Sequence, residues 1–169
     1  MKPLITSVLD LNSALGGNAE LLLGGGLGLY LKQEHLRTTG ARTLLPLDRL
    51  PPARTTQDVD LFLRAEVIAS QDAVSRYRAA LNKLGFVVVP GSEWLKFKRD
   101  VEGTEVLLDV MVGPLGEHAE AIRLKDSRAR PRGLGGKSGL HAFVTEEALG
   151  IETGPLRIPL SGLGSDGKD

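Results

Sequence analysis

The chain carries three aspartates on apolar, strand-like segments. Asp58 and Asp60 lead directly into the apolar run 61–63, with one valine between them, and Asp109 lies in the middle of a second apolar segment, 105–113. Because side chains alternate along a β-strand, Asp58 and Asp60 point to the same face. Adjacent carboxylates repel each other, and an acid within a buried strand is costly unless it is paired or metal-bound. The pattern therefore favours a site for a hard divalent cation such as Mg²⁺, built on a β-sheet.

A glycine run upstream of these aspartates has two interpretations. Gly24, Gly25 and Gly26 separate a short apolar strand from a segment with helical spacing. Strand, glycine turn and helix together can hold a phosphate, because the amides of the turn and of the helix N-terminus are free to donate. The simpler alternative is a tight turn that only brings helix and strand together. A dinucleotide-binding fingerprint is excluded, because Leu29 stands where its third glycine is required.

Composition excludes several classes of function. The chain of 169 residues has 21 basic and 21 acidic residues, so no net charge draws it to nucleic acid or to a membrane surface. The absence of cysteine excludes disulfide scaffolds, thiolate catalysis and zinc–sulfur sites, and the three histidines are too scattered to form a zinc site. No apolar run approaches the roughly 20 residues of a membrane span, and no signal peptide is recognisable. We therefore expect a cytoplasmic protein without membrane contact.

Hydrophobic periodicity predicts one α/β domain over residues 1–160. Helical spacing predicts helices over 3–15 and 70–84, the second with Ser70 as its N-cap. Residues 38–53, which are rich in proline, are predicted to form an inserted loop, and the polar tail 161–169 is predicted to be disordered. Strands are predicted at 19–23, 58–64, 86–89, 94–98, 105–112 and 140–144, with a hairpin formed by 94–98 and 105–112.

Polar residues near these segments add candidates for substrate contacts. Arg54 and Thr56 immediately precede the paired aspartates and would contact phosphate, or equally form a salt bridge and a turn hydrogen bond. Lys96 and Lys98 alternate on one strand face, which would lie over the cleft or simply face solvent.

A basic segment downstream also has two interpretations. Its cations would follow an RNA backbone, although a solvated loop is the default interpretation of such a segment. These residues are Arg123, Lys125, Arg128, Arg130, Arg132 and Lys137.

The combination of motifs resembles the nucleotidyltransferase superfamily, which has the polymerase-β-like fold. Within it, LLLGGGLGLYL followed by RTTQDVDLFL looks most like the AbiEii-type nucleotidyltransferases, which are toxins of type IV toxin–antitoxin systems. The resemblance covers about Leu21 to Val112. It implies a mixed, twisted β-sheet with helices packed mainly on one face. It also implies Asp58, Asp60 and Asp109 as metal ligands, and Gly25 and Gly26 as the turn on the phosphate side.

The chemistry expected of such a site is two-metal phosphoryl transfer. One Mg²⁺, between Asp58, Asp60 and the triphosphate, would orient the NTP and stabilise the leaving pyrophosphate. The second, also touching Asp109, would lower the pKa of the acceptor hydroxyl before in-line attack at the α-phosphate. The acceptor would be a tRNA 3′ end, a protein side chain or a small molecule, and a cognate antitoxin protein is a further expected partner.

The chain departs from the superfamily pattern, and these departures lead to alternative hypotheses. Gly26 stands where many members have a phosphate-binding serine, and the insertion 38–53 makes the gap from Gly26 to Asp58 long. In addition, we expect the chain to lack the helical C-terminal half of AbiEii-type proteins. A catalytically degenerate module that binds nucleotide or RNA is therefore one alternative. An antibiotic-type adenylyltransferase is another.

Overall fold

The computed structural model describes residues 1–17, 19–53, 56–133, 138–148 and 155–160. Its architecture is α+β, a mixed twisted open sheet of eight strands with helices packed mainly on one face, which confirms the predicted fold class. The helices are α1 (Lys2–Ala14), α2 (Gly25–Thr39), α3 (Ala65–Ala69) and α4 (Gln71–Lys83). The strands are β1 (Leu22–Leu23), β2 (Asp58–Leu63), β3 (Val87–Val88), β4 (Lys96–Val101), β5 (Thr104–Val112), β6 (Ile122–Lys125), β7 (Arg128–Pro131) and β8 (Ala142–Val144).

The sheet forks at its central strand. Strand β5 pairs in parallel with β2 along one side, and β1 is added antiparallel to β2. On the other side of β5, β4 pairs with residues 104–109 and β8 pairs with residues 111–112. One branch continues from β4 to β3, and the other from β8 through β7 to β6. The predicted hairpin of β4 and β5 is thus confirmed, and the two branches meet close to Asp109.

Burial alternates along the central strands, as the sequence pattern predicts. Val59, Leu61 and Leu63 of β2 are buried, and alternate residues of β5 from Val106 to Val112 are buried beside them. These side chains share one core with apolar residues of α1 and α4. The aspartates therefore lie on the opposite face of the sheet, where they are only partly buried.

Local signals explain the helix ends. Ser70 caps α4 by accepting a hydrogen bond from the amide of Ala73 (3.2 Å), and Gly85 follows the helix with a φ of +78°. Glycines with positive φ also follow α1 at Gly16 and α2 at Gly40. The predicted helices over 3–15 and 70–84 are thus confirmed, whereas the five-residue helix α3 was not predicted.

The segment expected to be a solvated basic loop is instead a β-hairpin, β6–β7. Its turn residues, Asp126 and Ser127, have φ of +50° and +59°. Positive φ at both central positions corresponds to a type I′ turn, which usually carries Asn-Gly or Asp-Gly. The missing glycine is why the sequence did not indicate a hairpin. Lys137, the last cation of the predicted basic segment, lies outside the described residues.

The loop after α2 has little regular structure beyond a 3₁₀ turn at Leu47–Arg49. The side chain of Gln33 holds its far end against α2, donating to the carbonyl of Pro51 (2.9 Å) and accepting from the amide of Ala53 (3.1 Å). The predicted tail 161–169 lies outside the described residues. Within the described ranges, no helix combines the length and the hydropathy needed to cross a bilayer.

Candidate metal and nucleotide site

The pairing of β2 with β5 brings the three predicted aspartates together. Asp60 lies directly opposite Asp109 in the parallel register, and Asp58 is on the same face of β2 as Asp60. Each residue offers a carboxylate oxygen, and these oxygens all lie within 4.8 Å of one another. Sequence alternation placed Asp58 beside Asp60, but only the sheet register places Asp109 with them.

Repulsion within this cluster changes the acidity of its central member. Burial raises the pKa of Asp60, and the negative charges of Asp58 and then Asp109 raise it further. The ammonium group of Lys96 acts in the opposite direction and lowers the pKa of Asp60. Three carboxylates held this close therefore favour binding a proton or a cation.

Two neighbouring side chains contact the cluster. The Thr56 hydroxyl donates a hydrogen bond to Asp58 Oδ1, so Thr56 contacts an aspartate. Lys96 Nζ lies 2.5 Å from Asp109 Oδ2, because Lys96 and Asp109 are opposite each other on β4 and β5. Lys96 is thus next to the site.

The other two predicted substrate contacts are not brought to the cluster. Lys98 pairs with Glu105 (2.8 Å), farther along the same two strands. Arg54 lies outside the described residues.

The glycine run forms a corner against the aspartates. Strand β1 ends at Leu23, and α2 begins at Gly25, so Gly25 and Gly26 lie in the first turn of the helix and not in a separate turn before it. Gly25 has a φ of +54°, and a Cβ added there would overlap Asp60 Oδ2. A Cβ on Gly26 would come within 2.7 Å of the Thr56 Cβ.

These close approaches leave room for glycine alone, and they place the start of α2 beside the carboxylates. The helix has no side-chain cap, because Gly24 occupies the N-cap position. The first amides of α2 are therefore available to an anion.

The donor set fits a hard divalent cation. All three ligands are carboxylates, the oxygen donors preferred by Mg²⁺, and the adjacent helix N-terminus suits the phosphates that usually complete a Mg²⁺ shell. The arrangement can thus hold a cation and an anion side by side.

The basic side chains of the β6–β7 hairpin share a face of the sheet with the aspartates, which was not predicted from the sequence. A row of opposed residues runs from Phe62 through Met111 and Phe143 to Arg128, next to the row that contains Asp60 and Asp109. The alternation of basic residues along 123–130 was the available signal, but the strand character of that segment was not recognised.

Comparison of the chain with protein-family models, with curated proteins and with solved structures found no match.

Proposed function

We propose that this protein is a Mg²⁺-dependent nucleotidyltransferase that transfers a nucleotidyl group from an NTP to a hydroxyl acceptor. The observation that carries the proposal is the cluster of carboxylate oxygens within 4.8 Å of one another beside the uncapped N-terminus of a 15-residue helix. A metal–triphosphate substrate needs both a cation site and an anion site at one corner. The resemblance of this glycine and aspartate pattern to the nucleotidyltransferase superfamily supports the same reaction.

Each group at the corner has a separate task in this proposal. Bound Mg²⁺ would supply charge neutralisation for the triphosphate and the pyrophosphate leaving group, and would make the acceptor hydroxyl more acidic. Asp58, Asp60 and Asp109 would hold the metal, and Thr56 would keep Asp58 oriented. The amides of Gly25 and Gly26 would bind phosphate oxygens.

The reaction is a single displacement. The acceptor oxygen forms a bond to the α-phosphorus, and its proton is released to water. The bond between the α-phosphorus and the bridging oxygen breaks, and pyrophosphate leaves with the electron pair. A tRNA 3′ end, a protein side chain and a small-molecule hydroxyl are all compatible acceptors, and a role as the toxin of a type IV toxin–antitoxin pair would add an antitoxin as partner.

A labelling assay tests the proposal. The protein is incubated with each α-³²P-labelled NTP, Mg²⁺ and total RNA, and label is followed into RNA and into protein. Asp58→Asn and Asp60→Asn should each lower transfer by more than about a hundredfold, because charge stabilisation at the phosphates is lost.

Glu105→Gln is the matched control, because Glu105 lies on the same face of β5 and pairs with Lys98 much as Asp109 pairs with Lys96. The control should retain activity. Full activity of either aspartate variant would refute the assignment of the metal ligands.

A second candidate is a non-catalytic nucleotide-binding module. The ion pair between Lys96 and Asp109 favours it, because the ammonium group occupies a carboxylate oxygen that a second cation would need. In the same assay this module would bind NTP, measured by equilibrium dialysis, without transferring label to any acceptor.

A further inference from the structure

The β6–β7 hairpin displays its cations on the same face of the sheet as the aspartates. Arg128 is opposite Phe143, which is opposite Met111, and side chains opposed across a sheet share a face. We call this surface the basic hairpin face. Its residues are Arg123, Lys125, Arg128 and Arg130.

The pairing within the hairpin is electrostatically unfavourable. Arg123 is directly opposite Arg130, and Lys125 is directly opposite Arg128. Like charges opposed across a sheet destabilise it. Binding of an anionic ligand would relieve this repulsion, above all between Arg123 and Arg130.

Within the described residues, acidic side chains pair with only one of these four cations. Arg128 pairs with Asp126 (3.0 Å) and with Glu93. Among the residues that the structure describes, no acidic partner lies within ion-pair distance of the other three cations, and two of these, Arg123 and Lys125, are exposed.

An apolar row connects the basic hairpin face to the acidic cluster. It consists of Phe62, Met111 and Phe143, and Phe143 is 45% exposed. Strands lie about 4.8 Å apart, so the cations of β7 and β6 are roughly 10 and 14 Å across the sheet from β5. A short length of extended polynucleotide covers that distance.

The position of the glycine corner decides which reactant this surface fits. The corner lies against Asp60 of β2, whereas the hairpin lies beyond Asp109 and β5, on the opposite side of the cluster. If the triphosphate occupies the corner, as the proposed function requires, the hairpin side is left for the acceptor. Aligned cations next to an exposed aromatic ring are typical of surfaces that bind single-stranded nucleic acid.

From these observations we propose that the basic hairpin face binds the backbone of a single-stranded polynucleotide, with a base stacked on Phe143 and the strand terminus directed toward Asp109. The role of that strand as acceptor rests on the proposed function, but its binding does not.

Binding is tested without nucleotide, by fluorescence anisotropy of a labelled single-stranded RNA of about 12 nucleotides, a length within the usual site size of such surfaces, over a series of salt concentrations. The variant with Arg123→Gln, Lys125→Gln and Arg130→Gln should bind at least about tenfold more weakly. The slope of log affinity against log salt should become shallower by about 2, because each lost phosphate contact contributes about 0.7 for a single strand. Phe143→Ala should weaken binding about tenfold, through the loss of base stacking.

A charge-matched control carries Lys32→Gln, Arg76→Gln and Lys83→Gln, which remove the same charge from exposed helix positions. It should bind RNA as the unmodified protein does. Equal binding by the hairpin variant and this control would overturn the inference, as would tighter binding of polyglutamate than of RNA. Unchanged RNA affinity in Phe143→Ala would overturn the stacking assignment, because the surface would then bind polyanions through charge alone.

The test separates this inference from the proposed function. Asp60→Asn should lose label transfer but retain RNA binding, because Asp60 lies at the glycine corner. If the hairpin variant binds RNA with unchanged affinity, the proposed binding surface is wrong, whereas label transfer by the unmodified protein would still support the proposed function.

Discussion

Asp60 is the residue at which the requirements of folding and of the proposed chemistry conflict. Its carboxylate is partly buried, lies beside two other carboxylates and contacts the position where a Cβ of Gly25 would be. Burial and these neighbours raise its pKa, so the charged form is less favourable in the folded chain than in the unfolded chain. In the absence of metal, the contribution of Asp60 to stability is therefore greatest below its unfolded pKa and is lost as the pH rises through its folded pKa.

Replacing this carboxylate should stabilise the metal-free protein. We expect Asp60→Asn to raise the free energy of unfolding at neutral pH by about 0.5–1 kcal/mol, because removing a repelled, partly buried charge is a common route to extra stability. The gain should shrink as the pH is lowered, since protonation removes the same repulsion from the unmodified protein. Urea unfolding in EDTA at several pH values measures both effects, and destabilisation by the substitution would contradict the charge arrangement.

At the scale of elements, the start of α2 is the part of the fold that the site depends on most. Gly25 combines a positive φ with a contact that leaves no space for a side chain, so the helix can begin beside Asp60 only with glycine there. The N-terminus of α2 thus packs directly against the Asp60 carboxylate, because Gly25 has no side chain.

The substitution Gly25→Ala should therefore damage both stability and binding. We expect a loss of about 1–2 kcal/mol from the positive φ, and a further loss of Mg²⁺-nucleotide affinity as α2 is pushed away from Asp60. Gly40→Ala is the matched control, because Gly40 has a φ of +63° and a Cβ added there would meet nothing within 4 Å. Calorimetric titration should show weakened binding for Gly25→Ala only, and equal affinity in both variants would contradict the role of the corner.

Elements with strong local signals were predictable from the sequence, and the remainder depended on pairing between distant segments. Helix α4 has a clear apolar stripe, a serine N-cap and a glycine after its C-terminus. Along β2, buried and partly buried residues alternate strictly. The β6–β7 hairpin lacks the glycine of a common type I′ turn, and α3 is too short to show periodicity. The position of Asp109 opposite Asp60 follows from a parallel register that no local signal encodes.

For the whole molecule, the fold separates the core from the candidate site. One face of the sheet is covered by helices, and a buried ion pair between Arg99 and Asp10 (2.6 Å) ties α1 to β4 on that side. The other face carries the aspartates, Lys96 and the basic hairpin face. Substitutions on the second face can therefore change binding without removing the contacts that hold the core together.

Binding of Mn²⁺, followed by electron paramagnetic resonance in a titration of the metal-free protein, would show whether β2 and β5 share a cation site. Mn²⁺ is an appropriate probe because it shares the carboxylate preference of Mg²⁺. We expect at least one bound ion in the unmodified protein and in Glu105→Gln, and strongly weakened binding in Asp58→Asn and in Asp109→Asn. Absence of binding in the unmodified protein, or unchanged binding in Asp109→Asn, would contradict a cation site shared by the two strands.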